Sequence, residues 1–91
     1  MFLVVAYDIV DDNRRAKVSS TLKNFGQRVQ KSVFECYLDK EQMARMRQEV
    51  EELIDPANDS ILYYSLCRKD EAKVDFLGKN IIYRDEDYFL V

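Results

Sequence analysis

A chain of 91 residues has room for one domain and too little length for two independent cores. With 47% hydrophobic and 34% charged residues, two glycines and one proline, it is not disordered, collagenous or loop-dominated, which leaves an element-rich globular domain. The net charge of −3 argues against nonspecific nucleic-acid binding, yet residues 1–31 hold six basic against three acidic residues and residues 32–91 hold eight against fourteen, so an acidic domain can still present one basic face.

Residues 2–9 (FLVVAYDI) are nearly continuous in apolar, β-branched and aromatic side chains, the pattern of a central strand covered on both faces. Asp11, Asp12 and Asn13 supply helix-start chemistry, Val18, Leu22 and Phe25 recur on one helical face, and Gly26 stands where a C-cap glycine belongs; together they predict a helix over 12–25. Arg14, Arg15 and Lys17 fall in its first turns, where cations oppose the helix dipole, so helix stability is not their purpose. Residues 28–38 (RVQKSVFECYL) are strand formers with no Gly, Pro or Asn-Gly, which predicts no tight hairpin inside the run, only a bend or bulge near residues 31–33 where the apolar parity changes. Asp39 with Gln42 forms a capping arrangement, and Met43, Met46, Val50 and Leu53 give a second amphipathic helix stopped by Asp55-Pro56. Asn58 and Asp59 make a turn before a strand over 60–67; residues 68–75 read as a charged connection, and 81–83 and 88–91 as short strands.

Alternating strands and helices in so short a chain predict one α+β domain over 1–91, a ferredoxin-like sandwich with an antiparallel sheet and two helices on one face. The bare sheet face is expected to receive a second copy, giving a homodimer. The apolar end, Tyr88-Phe89-Leu90-Val91, predicts that segment 80–91 adds as a strand to the partner subunit. No apolar run approaches the roughly 18 residues that span a bilayer, and no cleavable leader is visible, so a cytoplasmic protein without membrane contact is expected.

Cys36 and Cys67 form no CxxC pair and the chain has no histidine, which removes zinc sets and histidine-dependent nucleophiles and favours buried free thiols. Chemistry is left to carboxylates, Tyr, Lys, Arg or a hard metal. Asp8 is the leading candidate: it is the one charge in the first nine residues and lies at the carboxyl end of the inferred central strand, a place where α/β sheets put ligand sites. A carboxylate among apolar neighbours needs a metal, a donor or water, and the plain alternative is that Asp8 faces solvent or caps the next turn. One carboxylate is no metal cage, but Mg²⁺ is often held by one or two with waters and substrate phosphates, and a two-fold axis beside Asp8 would supply the second. Tyr7, Ser32 and the basic residues are the supporting set.

Tyr7-Asp8-Ile9, the Asp-Asp-Asn-Arg-Arg segment at 11–15 and the Arg-Val-Gln-Lys-Ser-Val-Phe-Glu segment at 28–35 resemble signature stretches of the CRISPR-associated Cas-two family, and the likeness extends over essentially the whole chain. The resemblance implies a ferredoxin-like homodimer that acts in spacer acquisition beside the CRISPR integrase subunit. It further implies a metal-dependent endonuclease on RNA or DNA, with Asp8 as the metal-binding aspartate at the dimer interface. Tyr7, Arg15, Arg28, Ser32 and Phe34 match positions of the family's active-site region. In this reading Asp8, Tyr7, Ser32 and Phe34 are catalytic, Asp8 holds Mg²⁺, and Arg14, Arg15, Lys17, Arg28 and Lys31 bind nucleic acid. Packing in the core remains open for Tyr7 and Phe34, capping of a bulge for Ser32, and cross-strand packing rather than base stacking for Tyr63, Tyr64 and Tyr83. The rival function is a noncatalytic scaffold whose basic faces bind duplex DNA and whose acidic C-terminal region docks a basic protein.

Overall fold

In the computed structural model, which describes residues 1–66 and 72–78, the apolar run near the start forms β1 (Phe2–Asp8), followed by α1 (Asp12–Leu22), β2 (Gly26–Gln30), β3 (Val33–Tyr37), α2 (Lys40–Glu51), β4 (Ser60–Leu66) and β5 (Ala72–Gly78). The five strands make one sheet in the order β2-β3-β1-β4-β5 with every neighbouring pair antiparallel. β1 is central, as its unbroken apolar sequence requires, pairing from Phe2↔Tyr37 to Ala6↔Val33 on one side and from Phe2↔Leu66 to Asp8↔Ser60 on the other. This is the ferredoxin-like α+β arrangement with one further strand at the β4 edge.

Leu3, Val5 and Tyr7 of β1 share one buried cluster with Phe34, Cys36, Ile61 and Tyr63 of the neighbouring strands and with Val18, Leu22, Met46 and Val50 of the helices, so both helices cover the same sheet face. The opposite face is not bare, which corrects the expectation. Val4, Val33 and Leu62 are 5%, 8% and 3% exposed within the single chain, while Tyr37 is 75% exposed beside Phe2 at a ring distance of 5.1 Å. No helix among the described residues is long and apolar enough to cross a membrane.

The run 28–38 is also corrected: a tight hairpin does lie within it. β2 and β3 pair around Lys31 and Ser32, and the register slips between Arg28 and Gln30, leaving Val29 as a bulge. A bulge adds local twist, and the Tyr7 amide donates to the Ser32 carbonyl at 3.1 Å, so the reversal is pinned to β1 without Asn-Gly chemistry. Gly26 is not a helix cap. α1 ends at Leu22 with Lys23 as its C-cap in right-handed geometry, and Gly26 opens β2 where a Cβ would collide with the Glu35 carbonyl oxygen.

The second helix starts as its sequence demands: Gln42 N donates to Asp39 Oδ1 at 2.7 Å and Asp39 N to Gln42 Oε1 at 3.0 Å. It ends at Glu51, before the Asp55-Pro56 stop. β5 replaces part of the expected charged connection, since the alternation of Ala72, Val74 and Phe76 with Lys73 and Asp75 is a strand pattern. Cys36 is a free, buried thiol whose burial pushes its pKa up to about 11. Cys67, Tyr83, the short strands at 81–83 and 88–91, and the docking segment 80–91 lie outside the described residues.

Met46 is fully buried whereas Met43 only borders the core. Met46→Ala is expected to destabilise by about 2–5 kcal/mol, with Met43→Ala costing distinctly less. Urea denaturation of the two variants checks this, and equal losses would contradict the packing described.

Candidate active site

Asp8 is the last residue of β1 and is exposed, with Tyr7 and Ile9 on either side buried among the helices. Because β3 runs antiparallel to β1, the carboxyl end of β1 meets the turn between β2 and β3, and because α1 follows at once, its first turns rim the same end. The result is a cleft of about 460 Å³ lined by Tyr7, Asp8, Ile9, Arg15, Lys31 and Ser32. Five of the residues singled out in the sequence thus meet in one place, and among the described residues Asp8 is the only acid lining it.

Arg15 bridges outward from this cleft. Its guanidinium pairs with Asp12 and donates to the Ile9 carbonyl at 3.5 Å; the Asp12 hydrogen bond is the main reason its pKa is raised, which keeps it cationic. It also lines a second cavity of about 600 Å³ with Asp12, Ala16, Ser19, Ser20, Lys23, Arg28 and Lys31. The two cavities share Arg15 and Lys31, so the basic rim is continuous. Arg28 donates to Ser19 Oγ and lies 5.8 Å over the Phe34 ring, which aims a charge on the hairpin across α1.

Phe34 itself is fully buried and lines neither cavity; with the Tyr7 ring 6.3 Å away it can act on a ligand only through the neighbours it supports. Arg14 spends its Nε and Nη2 on Asp59 at 2.7 and 3.1 Å and lines neither cavity. Lys17 is exposed and likewise lines neither. Tyr63 is packed in the core, its hydroxyl donating to Glu51 at 2.9 Å and the Arg47 guanidinium 4.4 Å over its ring, so burial rather than base stacking is its use.

Lys23, one of the basic residues of the supporting set, belongs to the second cavity, at helical spacing from Arg15 and Ser19. One feature escapes sequence reading. Asp59 carries no local signal, because its partner lies 45 residues away.

The donor set fits a hard cation incompletely. Among the described residues no group of three or more acidic, Cys or His side chains could hold a metal ion, and the cleft offers one carboxylate, the Ser32 hydroxyl and flanking cations. That matches a divalent ion completed by water, phosphate or a second chain.

Fold and cleft together define a ferredoxin-like α+β protein with the Asp8 carboxylate set in a basic rim at the end of its central strand. The chain belongs to the CRISPR associated protein Cas2 family, whose model matches residues 1–74. A Chloroflexus aurantiacus protein named CRISPR-associated endoribonuclease Cas2 3 is 38% identical over 91 residues, covering 100% of this chain and 98% of that one. A Thermus thermophilus protein named CRISPR-associated endonuclease Cas2 2 is 45% identical over 74 residues, 81% of this chain and 78% of that one. The crystal structure of Streptococcus pyogenes Cas2 superposes with a TM-score of 0.69 at 32% identity, covering 75% of this chain and 88% of that chain.

Asp59 has its carboxyl held down at about 2, first by the hydrogen bond from Arg14 and further by the amides of Asp55 and Val10. A depressed carboxyl stabilises the fold above its unfolded value of 3.8, and that contribution disappears as pH falls toward 2. The stability gap between wild type and Asp59→Asn is therefore expected to be wide at neutral pH and to narrow across that acid window, as read by chemical denaturation at successive pH values. A constant gap would contradict the assignment. Phe34→Ala is expected to lose about 3–5 kcal/mol of stability, measured by urea melts.

Proposed function

We propose that two copies of this chain form an Mg²⁺-dependent endonuclease that hydrolyses RNA or DNA phosphodiesters during CRISPR spacer acquisition, beside the integrase subunit. The observation that carries this reading is the cleft in which Asp8 stands as a single carboxylate among Arg15, Lys31 and Ser32. The relatives named endoribonuclease and endonuclease support the reaction class.

Asp8 would hold the cation, and a second copy across a two-fold axis would offer the same carboxylate again. When bound, the ion supplies positive charge against the phosphate and acidifies water. Arg15 and Lys31 neutralise the scissile phosphate, and the Ser32 hydroxyl orients one of its oxygens or the attacking water. Water adds to phosphorus, one ester P–O bond breaks, and the departing oxygen takes up a proton. Arg28 and Lys23, in the adjoining cavity, hold the next phosphate of the strand.

Asp8→Asn is expected to reduce divalent-dependent cleavage to background while duplex binding is largely retained, because affinity comes mainly from phosphate neutralisation. Cleavage assays with a chelator control, beside filter binding, decide this; binding lost in parallel with cleavage in a folded variant would refute the division of labour.

A second reading, a noncatalytic DNA-organising scaffold, is favoured by the larger cavity, where Arg15, Lys23, Arg28 and Lys31 face a single acid, Asp12. It uses the same cations and needs no cleavage. Under both readings Arg28→Gln weakens binding across all sequences and lowers the salt slope of log affinity by about 1. An unchanged slope in a salt titration would move the nucleic-acid surface elsewhere.

A further inference from the structure

The acidic end of β1 is held from one side by a residue with no exposed surface. Asp59 is 0% exposed and accepts four hydrogen bonds: from Val10 N at 3.2 Å, Asp55 N at 2.9 Å, Arg14 Nε at 2.7 Å and Arg14 Nη2 at 3.1 Å. Those donors belong to the β1–α1 turn, the loop before β4 and the first turn of α1. The residue after Asp59 is Ser60, which is the cross-strand partner of Asp8. A Cβ at Gly78, the residue paired with Ser60 from β5, would strike the Asp59 carbonyl oxygen, so the strand on the far side closes tightly on the same point.

Asp8 therefore sits between two constraints from one short segment, its cross-strand pairing with Ser60 and the Asp59 carboxylate grasping the amide two residues on. Asp11 adds a third restraint, accepting from Arg14 N at 2.9 Å and so fixing where α1 begins. Arg14 is thereby bound to both ends of the arrangement, by its backbone to Asp11 and by its side-chain fork to Asp59.

We propose that Asp59 and Arg14 are positioning residues for the Asp8 cleft: their ion pair sets the path of the β1–α1 turn and with it the placement of the Asp8 carboxylate against Arg15 and Lys31. The inference rests on the reading of Asp8 as a metal-binding carboxylate. It gives Arg14 a role distinct from contact with phosphate. Metal sites depend on the groups that orient their ligands, and removal of such a group costs about 10–100-fold in metal affinity or activity, with about tenfold expected for a turn held also by strand pairing.

The test uses the full-length protein and three variants, Asp59→Asn, Arg14→Lys and Asp8→Asn. Asn at 59 keeps the shape but replaces one of the two accepting oxygens by a donor NH₂, so that either the pair Asp55 N and Arg14 Nε or the pair Val10 N and Arg14 Nη2 loses its acceptor, and Lys at 14 keeps the charge but loses the fork. Each is assayed well below its own melting temperature. Asp59→Asn is expected to lower kcat for a labelled oligonucleotide by about tenfold with KM little changed, and to weaken Mn²⁺ binding in calorimetry. Arg14→Lys gives a smaller change in the same direction, and serves alone if Asp59→Asn does not fold. Amide exchange at Val10 and Asp8 is expected to accelerate in both variants by clearly more than that of β3, which follows only the overall loss of stability.

Unchanged kcat, Mn²⁺ affinity and Val10 exchange in folded variants would overturn the proposal, as would a rise in exchange at Val10 no larger than the rise across the rest of the sheet, which marks general destabilisation alone. Failure of the underlying reading looks different: Asp8→Asn would then leave Mn²⁺ binding and cleavage as in wild type, while Val10 exchange would still report whether Asp59 holds the turn.

Discussion

A buried carboxylate that accepts from three separate stretches of chain organises the end of the molecule where its polar residues meet. Asp59 has no contact with water, so its charge is tolerable only because the Arg14 guanidinium and two amides satisfy it. Such a group cannot be paired approximately. A buried ion with one partner removed costs several kcal/mol by general experience, so the β1–α1 turn, the start of α1 and the loop before β4 are obliged to adopt one relative arrangement, of about the definition a binding cleft needs. The hydrophobic cluster beneath could accommodate small shifts of these loops; the hydrogen-bond geometry does not.

The cleft is a consequence of topology before it is a consequence of composition. A central strand whose antiparallel neighbour begins where it ends brings the β2–β3 turn beside Asp8, and a helix that follows immediately brings its first turns to the same edge. Lys31 and Ser32 come from the first of these and Arg15 from the second. Placing cations in the first turns of α1 opposes the helix dipole. The structure accounts for two of them differently: Arg14 is consumed by Asp59, and Arg15 is steadied by Asp12 and left facing the cavities.

Much of this was legible in residue patterns, and the failures are specific. β1 was legible because Asp8 interrupts an apolar run at its last position, and α2 because Asp39 and Gln42 cap it reciprocally over a regular apolar stripe. The β2–β3 hairpin was not, since its reversal uses Lys31 and Ser32 with a bulge at Val29 and none of the residues that usually mark a tight turn. Gly26 invited a helix-cap reading, and only the position of the Glu35 carbonyl reveals why a side chain is excluded there. The strand β5 was obscured by Lys73 and Asp75, although their alternation with apolar residues was the better signal. Asp59 could not have been found, because nothing in Asn58-Asp59-Ser60 differs from an ordinary turn until Arg14 is placed against it.

The nuclease and scaffold readings draw on one electrostatic surface, and this constrains how the protein could move between them. Arg15 and Lys31 line both cavities, so on either proposed reading a strand held in the larger cavity would have its next phosphate beside Asp8. Phosphate neutralisation sets affinity without regard to sequence, whereas on the proposed nuclease reading hydrolysis would depend on whether a divalent cation reaches Asp8 and on how that carboxylate is aimed. On the proposed reading binding would be spread over several replaceable charges, and cleavage concentrated on one carboxylate and the turn that holds it. A chain of this design would lose cleavage by a small displacement at the end of β1 and keep its grip on nucleic acid, so that the placement of Asp8, rather than the number of basic residues, would separate the two proposed functions.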